Sequence, residues 1–452
     1  MSLLMSVSGI RGVVGRTFTA QTVRRAAAGF VAALKAGGAA PGGAPRIVAA
    51  RDSRPSGEGF LANTVGALAA CGCEVHCLGI VSTPCAAAHV RRTRAAGGMI
   101  LTASHNPPEY NGVKFITADG AAPDAATAAR ILDFVRAAED VPSAAATKID
   151  PSAAQEAIRS HVADVLACVD VARIRSRAFH VVLDSVCGAG GEEGAALLTA
   201  LGCRVTHLHA DPTGVFPHSP EPLEANLGEL CETVLRVDAH VGFAQDPDAD
   251  RLALVDERGV YIGEEYTLAL AARNVARTRT GVFAANLSTS RMIDDVAAAA
   301  PGCGVERSAV GEANVVEAMR RTGAILGGEG NGGVIDPRVG WTRDSLVAMA
   351  QVLDLLAAAG TSLSDQVSRM PAYAIVKHKV ELPGEGSGPV LERVRARFKG
   401  ERINDLDGLR IDRADAWVHV RASNTEPILR FIAEAPTRAT AESLIGEALQ
   451  AL

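Results

Sequence analysis

No stretch of this 452-residue chain approaches the roughly 18 uninterrupted apolar residues of a membrane-crossing helix, so nothing in it is expected to span a bilayer. A basic excess is also missing. Lys+Arg is 45 against Asp+Glu 51, a formal net charge of −6 with His neutral. A nucleic-acid reader carries the opposite bias, so nucleic acid is not an expected partner. A paired cysteine framework is lacking too: the nine cysteines are an odd number, scattered from Cys71 to Cys303. They read as reduced thiols in a cytosolic protein. Cys71, Cys73, His76 and Cys77 stand close together, but they straddle a helix end and a strand without a second ligand pair, so zinc is not expected there. The opening MSLLMSVSGIRG has no apolar run behind a basic head, so no signal peptide is expected and the cytoplasm is the expected compartment. Hydrophobic residues at 48% and charged residues at 21% are ordinary globular usage, which speaks against disorder.

What is present is a repeated pattern. Arg46–Ala50 reads as a buried strand, followed by a turn at Asp52–Gly57, a small-residue helix over about Gly59–Cys71 and a strand at Glu74–Leu78. The same order recurs at His180–Leu183, Asp184, a helix over about Glu192–Leu201, and Gly202–Val205. A third copy runs from Gly281–Asn286 through a helix to Gly302–Val305. Three such units predict three related α/β domains. Composition shifts at Ala137–Pro151, near Asp256 and near Met370-Pro371 predict boundaries giving residues 1–150, 151–255, 256–369 and 370–452. The last unit reads as smaller and α+β, with strands near Ala374–Leu382 and Ala416–Arg421 and helices near Val390–Phe398 and Thr437–Leu449.

Four motifs carry chemistry. In TASHNPPEYNGVKF, which follows the apolar run Met99–Leu101, Asn-Pro and Asn-Gly turns put Ser104 on a tight loop at a strand end. Lys114 returns on an extended segment as a source of charge or a proton. No acid is placed to orient His105 as a hydrolase triad requires. In Asp246-Pro247-Asp248-Ala249-Asp250-Arg251, alternating carboxylates point oxygen donors at one hard divalent cation. Glu257 sits at the twelfth position of an EF-hand count, but Arg251 replaces the sixth-position Gly and the flanks read as strands. Three carboxylates leave positions open for a phosphate oxygen. The run Gly327–Gly333 (GGEGNGG) contains G-x-G-x-x-G, yet Val334-Ile335-Asp336-Pro337 opens no helix and Glu329 would repel a pyrophosphate. A carboxylate between glycines can approach sugar hydroxyls. In Arg421–Arg430 (RASNTEPILR), an Arg fork with hydroxyls and loop N–H groups suits a phosphate dianion. Gly188–Gly191 reads as the structural turn of the second repeat.

Taken in order, these four motifs make the chain resemble the α-D-phosphohexomutase family over nearly its whole length. Ser8-Gly9-Ile10-Arg11-Gly12 and Arg51-Asp52-Ser53-Arg54 resemble further active-site segments of that family. The resemblance implies three similar α/β domains with mixed sheets and a small α+β C-terminal domain around a central cleft. It implies that Ser104 carries a phosphoryl group beside Mg²⁺ held by Asp246, Asp248 and Asp250 with Ser104. It implies a hexose 1,6-bisphosphate as intermediate and activator. Arg11, His105 and Lys114 are the candidates for moving the proton, Lys114 first. Arg251 would brace the metal loop or the phosphate. Gly328, Glu329 and Asn331 would meet the sugar, and Arg421, Ser423, Asn424, Thr425 and Arg430 the phosphate that does not react.

Within that family, GEGNGGVI with Val310-Gly311-Glu312-Ala313-Asn314 looks most like phosphoglucosamine mutases of the archaeal type. Interconversion of glucosamine 6-phosphate and glucosamine 1-phosphate is therefore the first expectation, with glucose and mannose phosphates as alternatives. A phosphoserine-dependent sugar phosphatase is a further alternative, and a non-enzymatic sugar-phosphate sensor is disfavoured by Ser104 beside three Asp. Monomer and homodimer both stay open.

Overall fold

The computed structural model describes residues 3–38, 43–142, 151–382, 386–423 and 428–452. The first three units share one wiring. A central strand is followed by a helix and a parallel neighbour. A second parallel strand then joins its other edge, and a fourth strand returns antiparallel. In the first unit these strands are Arg46–Arg51, Glu74–Ile80, Gly97–Leu101 and Tyr110–Thr117. The second unit repeats this with His180–Asp184, Arg204–Leu208, Val241–Gln245 and Leu252–Asp256. The third uses Val282–Asn286, Gly304–Ser308, Leu326–Glu329 and Gly333–Ile335. The first sheet also gains Gly9–Val13 and Leu4–Ser6 beyond the antiparallel strand.

This order puts three of the motifs in equivalent positions. The serine loop, the metal loop and the Gly-rich loop each connect the second parallel strand to the antiparallel return. Each lies at the carboxyl end of its parallel strands, where open α/β sheets bind ligands. The Gly-rich segment forms a strand–turn–strand hairpin, with Glu329 opposite Gly333, and no helix follows it.

One apolar core runs through all three units, from Val48 and Leu78 to Val181, Leu270 and Leu353. Its spine is the helix Ser345–Ala359, which is buried on every face for most of its length, as an all-round apolar helix must be. Asp344 caps its start by accepting from Leu346 N at 2.8 Å, and Gly360, at φ +68°, ends it in the left-handed region. The helix Pro151–Leu166, just after the Ala137–Pro151 segment, packs against the strand Glu74–Ile80 and the helix Thr83–Arg92 of the first unit.

The last unit is an antiparallel five-stranded sheet with its own core, in which Val390, Phe398, Phe431 and Leu444 meet. The sequence reading located two of its strands. The others include the three-residue Arg402–Asn404 and Ile428–Ala435, which carries the end of RASNTEPILR into the sheet as a partner of Trp417–Ala422. Polar groups join this unit to the third. Arg410 Nη1 donates to Leu287 O at 2.5 Å, Val310 N to Asp407 Oδ2 at 3.0 Å, and Ser288 Oγ lies 2.8 Å from His419 Nδ1. No described helix is long and apolar enough to cross a membrane.

Candidate active site

Ser104 stands just beyond the strand Gly97–Leu101 with φ +52°, a left-handed conformation that a side chain adopts at a cost. Arg54 holds it there. Its guanidinium donates to the carbonyls of Ser104 (2.5 Å), Asn106 (2.5 Å) and Pro107 (2.6 Å). Fully buried itself, Arg54 is balanced by Asp52 at 3.0 Å, and Asp52 also accepts from Thr102 Oγ1 at 2.7 Å. The second unit reaches this loop as well. Phe216 lies under the Arg54 guanidinium, and a Cβ on Gly214 would fall 2.2 Å from Ser53 O.

Ser104 Oγ donates to Asp246 Oδ2 at 3.0 Å and lies 3.3 Å from His105 Nδ1. Asp246, Asp248 and Asp250 are wholly buried, and their oxygens converge within 4.8 Å of one another. Ala249 between them has φ +54°, which turns the alternate carboxylates inward. Asp246 Oδ1 accepts from Asp250 N and Arg251 N, both at 3.1 Å. Burial, with Asp250 and Asp248 close by, pushes the Asp246 carboxyl well up. Burial also opposes charge on Asp248 and Asp250. Lys114 outweighs it at Asp248, and Arg343 with Lys114 outweighs it at Asp250. Asp248 Oδ1 and Asp250 Oδ1 are buried without a hydrogen-bond partner. Orphaned carboxylate oxygens beside a serine hydroxyl are what a hard divalent cation needs, so the donor set fits Mg²⁺.

Lys114 Nζ bonds Asp248 Oδ2 at 2.6 Å and Asp250 Oδ2 at 2.9 Å. Burial alone would lower its pKa, but the two carboxylates raise it. Arg11 reaches in from the neighbouring strand, where Arg11 pairs with Gly112, and feels both Asp248 and Asp250. His105 is depressed to about 2 by burial and by Arg251 and Arg11, so its ring is uncharged. Glu221 Oε1 lies 3.9 Å from His105 Nε2, too far for a hydrogen bond. Arg251 Nε stands 3.7 Å from Asp250 Oδ1 without bonding it.

Several groups here had no local signal in the sequence. Arg343 joins the metal loop to the Gly-rich loop: Nη2 meets Asp250 Oδ2 at 2.7 Å, Nη1 meets Glu329 Oε2 at 2.6 Å, and Nε meets Glu312 Oε2 at 2.9 Å. Thr83 Oγ1 donates to Asp248 Oδ2 at 2.7 Å. Each lies far along the chain from its partners, and neither WTRDSL nor STPC has a pattern that marks it. Glu329 Oε1 accepts from Asn286 Nδ2 at 2.8 Å and Gly311 N at 3.1 Å, so its carboxylate is held by three donors in all. Gly328 lies within the buried strand, where a Cβ would meet Gly333 O at 2.2 Å.

The last unit presents a basic sheet face to the same cleft. Arg421 is opposite Arg430, and Arg430 is opposite Lys379, which aligns three cations across three strands. Like charges directly opposite repel, so such a row is stable only where an anion is received. Arg421 is anchored through Nε to Asp407 Oδ2 at 3.0 Å. A cavity is lined by Glu329 and Asn331 on one side and Arg421, Arg430, Lys377 and Lys379 on the other. The sequence reading missed Lys379, because alternation along an edge strand shows only against its partner. Ser423 N donates to Ile428 O at 2.9 Å, while Asn424 and Thr425 lie outside the described residues. The structure therefore gathers Arg11, Ser104, His105, Lys114, the three Asp and Arg251 at one end of the cleft. Glu329 and Asn331 stand between that end and Arg421 with Arg430.

The four segments of the phosphoglucomutase/phosphomannomutase family match in order: alpha/beta/alpha domain I at residues 3–141, domain II at 159–259, domain III at 263–373 and the C-terminal domain at 377–451. A protein of Thermococcus kodakarensis named "Phosphoglucomutase/phosphomannomutase" is 34% identical over 98% of this chain and 97% of its own length. A "Probable phosphoglucosamine mutase" of Methanopyrus kandleri is 34% identical over 99% of this chain and 97% of its own. Among solved structures, a phosphoglucomutase/phosphomannomutase family protein of Burkholderia thailandensis superposes with a TM-score of 0.85 at 26% identity, over 99% of this chain and 96% of that one. An Aspergillus fumigatus N-acetylphosphoglucosamine mutase, solved with GlcNAc-6P and magnesium, shares the fold at a TM-score of 0.54 and 15% identity, over 82% of this chain and 92% of that one.

Proposed function

We propose, since this chain belongs to the phosphoglucomutase/phosphomannomutase family, that it is a phosphohexomutase whose Ser104 carries the phosphoryl group between the two positions of a hexose phosphate. The observation that carries this reading is Ser104 Oγ at 3.0 Å from Asp246, beside the two orphaned oxygens of Asp248 and Asp250. In the forward step the P–Oγ bond of phosphoserine breaks as the sugar's free hydroxyl bonds to phosphorus. The resulting bisphosphate turns over, and its other phosphoryl returns to Ser104. Mg²⁺ held by Asp246, Asp248 and Asp250 supplies the positive charge that a phosphorylated Ser104 requires there. Lys114, already bonded to two of those carboxylates, is our choice for the proton, ahead of the uncharged His105 and of Arg11. Arg421 and Arg430, with Ser423, Asn424 and Thr425 beside them, bind the phosphate that is not reacting. We place the protein in the cytoplasm and divide it at residues 150, 255 and 369.

Glucosamine phosphate is our first choice of sugar. Glu312 and Glu329, the acids that an ammonium group would have met, are both bonded to Arg343. The acidic side of the cavity is completed by Glu264 and Glu265, so the amino sugar retains carboxylates to face. The test is kcat/KM for glucosamine, glucose and mannose 1-phosphates under saturating Mg²⁺ and matched bisphosphate. Preference for glucosamine by about ten- to a hundredfold supports the assignment. Preference for a neutral sugar reassigns the substrate and leaves the mutase. Activation by bisphosphate with little free phosphate released separates a mutase from a phosphatase.

A further inference from the structure

Beneath the cleft, a second set of ligand-type side chains closes on itself. Cys85, in the first turn of the helix Thr83–Arg92, His161 on Pro151–Leu166 and Glu193 on Gly191–Ala200 are all fully buried, and their donor atoms lie within 4.8 Å of one another. Asp344 Oδ2 sits 2.7 Å from His161 Nε2 and so holds the proton on that nitrogen. The lone pair of Nδ1 is thereby turned toward the cluster, where Nδ1 has no hydrogen-bond partner. Glu193 Oε2 is 3.6 Å from it, too long for a hydrogen bond but close to the edge of a tetrahedron of metal ligands. A carboxylate fixing the far nitrogen of a histidine is the usual outer shell of a zinc ligand.

We propose that Cys85 Sγ, His161 Nδ1 and Glu193 bind a structural Zn²⁺. Thiolate and imidazole favour this ion over Mg²⁺. A thiolate and a carboxylate neutralise its two charges, which removes the cost of burying Glu193. Ser82 Oγ, which donates to Glu193 Oε2 at 2.5 Å, is an oxygen at hand for the fourth position. The ion would tie three units together directly under the active centre. Thr83, next to Ser82, holds Asp248, and Arg343, next to Asp344, holds Asp250 and Glu329. Because the site is closed to solvent, loading belongs to folding and the ion resists exchange.

The test uses full-length chain produced in zinc-depleted medium with Co²⁺ added, then stripped of loosely held metal by a chelating resin. A thiolate-to-cobalt charge-transfer band in the near ultraviolet is expected in the wild type. Asp248→Asn should keep it, and Cys85→Ser and His161→Gln should lose it. Chain produced with Zn²⁺ should retain an equimolar amount through the same resin, and Cys85→Ser should retain none. If the folded wild type shows neither band nor retained zinc, the proposal is overturned, and the cluster is a protonated His161 between Glu193 and Asp344. The same band in Cys85→Ser overturns it too, because another of the thiols is then the ligand. The wild-type spectrum decides the matter even where a variant fails to fold.

Discussion

Ser104 combines a chemical role with a backbone conformation that resists it. At φ +52° an L side chain costs about 1–2 kcal/mol, held here by Arg54 on three loop carbonyls. Ser104→Ala and Ser104→Gly should both lose mutase activity by roughly three orders of magnitude or more. The glycine variant should be the more stable to denaturant of the two by about 1 kcal/mol, and equal stabilities would show that the loop relaxes in the alanine variant. Asp248→Asn should weaken Mg²⁺ affinity and turnover together, measured by metal titration of rate, and full activity in chelator would exclude the metal role. Arg343 is the residue whose loss reaches furthest. Arg343→Met leaves Asp250, Glu329 and Glu312 buried without their shared cation and should cost about 3–5 kcal/mol in urea unfolding. A loss below about 1 kcal/mol would mean those carboxylates find other partners.

At the scale of elements, the informative unit is the connection between a parallel strand and its antiparallel return. Used three times, it yields the phosphoryl carrier, the metal loop and the sugar loop. The glycines of the third copy serve close approach: a Cβ on Gly330 would fall 2.0 Å from the Glu265 carboxylate. In the last unit the element is a row of cations across Trp417–Ala422, Ile428–Ala435 and Ala374–Glu381. Arg421→Ala should raise KM by about tenfold or more, because a charge-assisted bond to phosphate is lost. It should also release more bisphosphate intermediate during turnover. An unchanged KM would place the distal phosphate elsewhere.

For the whole molecule, the decisive division is between one core shared by three units and a separate core in the fourth. The join between them is polar, which is the kind of interface that permits domain motion. The last unit should therefore hinge near Met370-Pro371 and close on ligand. Solution scattering with and without sugar phosphate should show a smaller radius in the complex, and identical profiles would remove closure from the mechanism. For the same reason, chain ending at Met370 should keep its secondary structure and a cooperative melting transition while losing mutase activity. Loss of cooperativity would show that the last unit supports the shared core.

What the sequence by itself determined was everything that a short run of neighbours can encode. Ser104 with its turn residues, the alternating Asp246, Asp248 and Asp250, and the glycines around Glu329 are legible because their chemistry is local. The strands and helices of the three repeats are legible because burial imposes a period. Tertiary structure alone decided the rest. It brought Lys114 onto Asp248 and Asp250, laid Arg343 between two loops, and set Lys379 beside Arg430 and Arg421. It also converged Cys85, His161, Glu193 and Asp344 from four separate segments. Such contacts have no period and no spacing, since what selects them is the cost of burying a charge alone, and that cost exists only once the chain has closed around it.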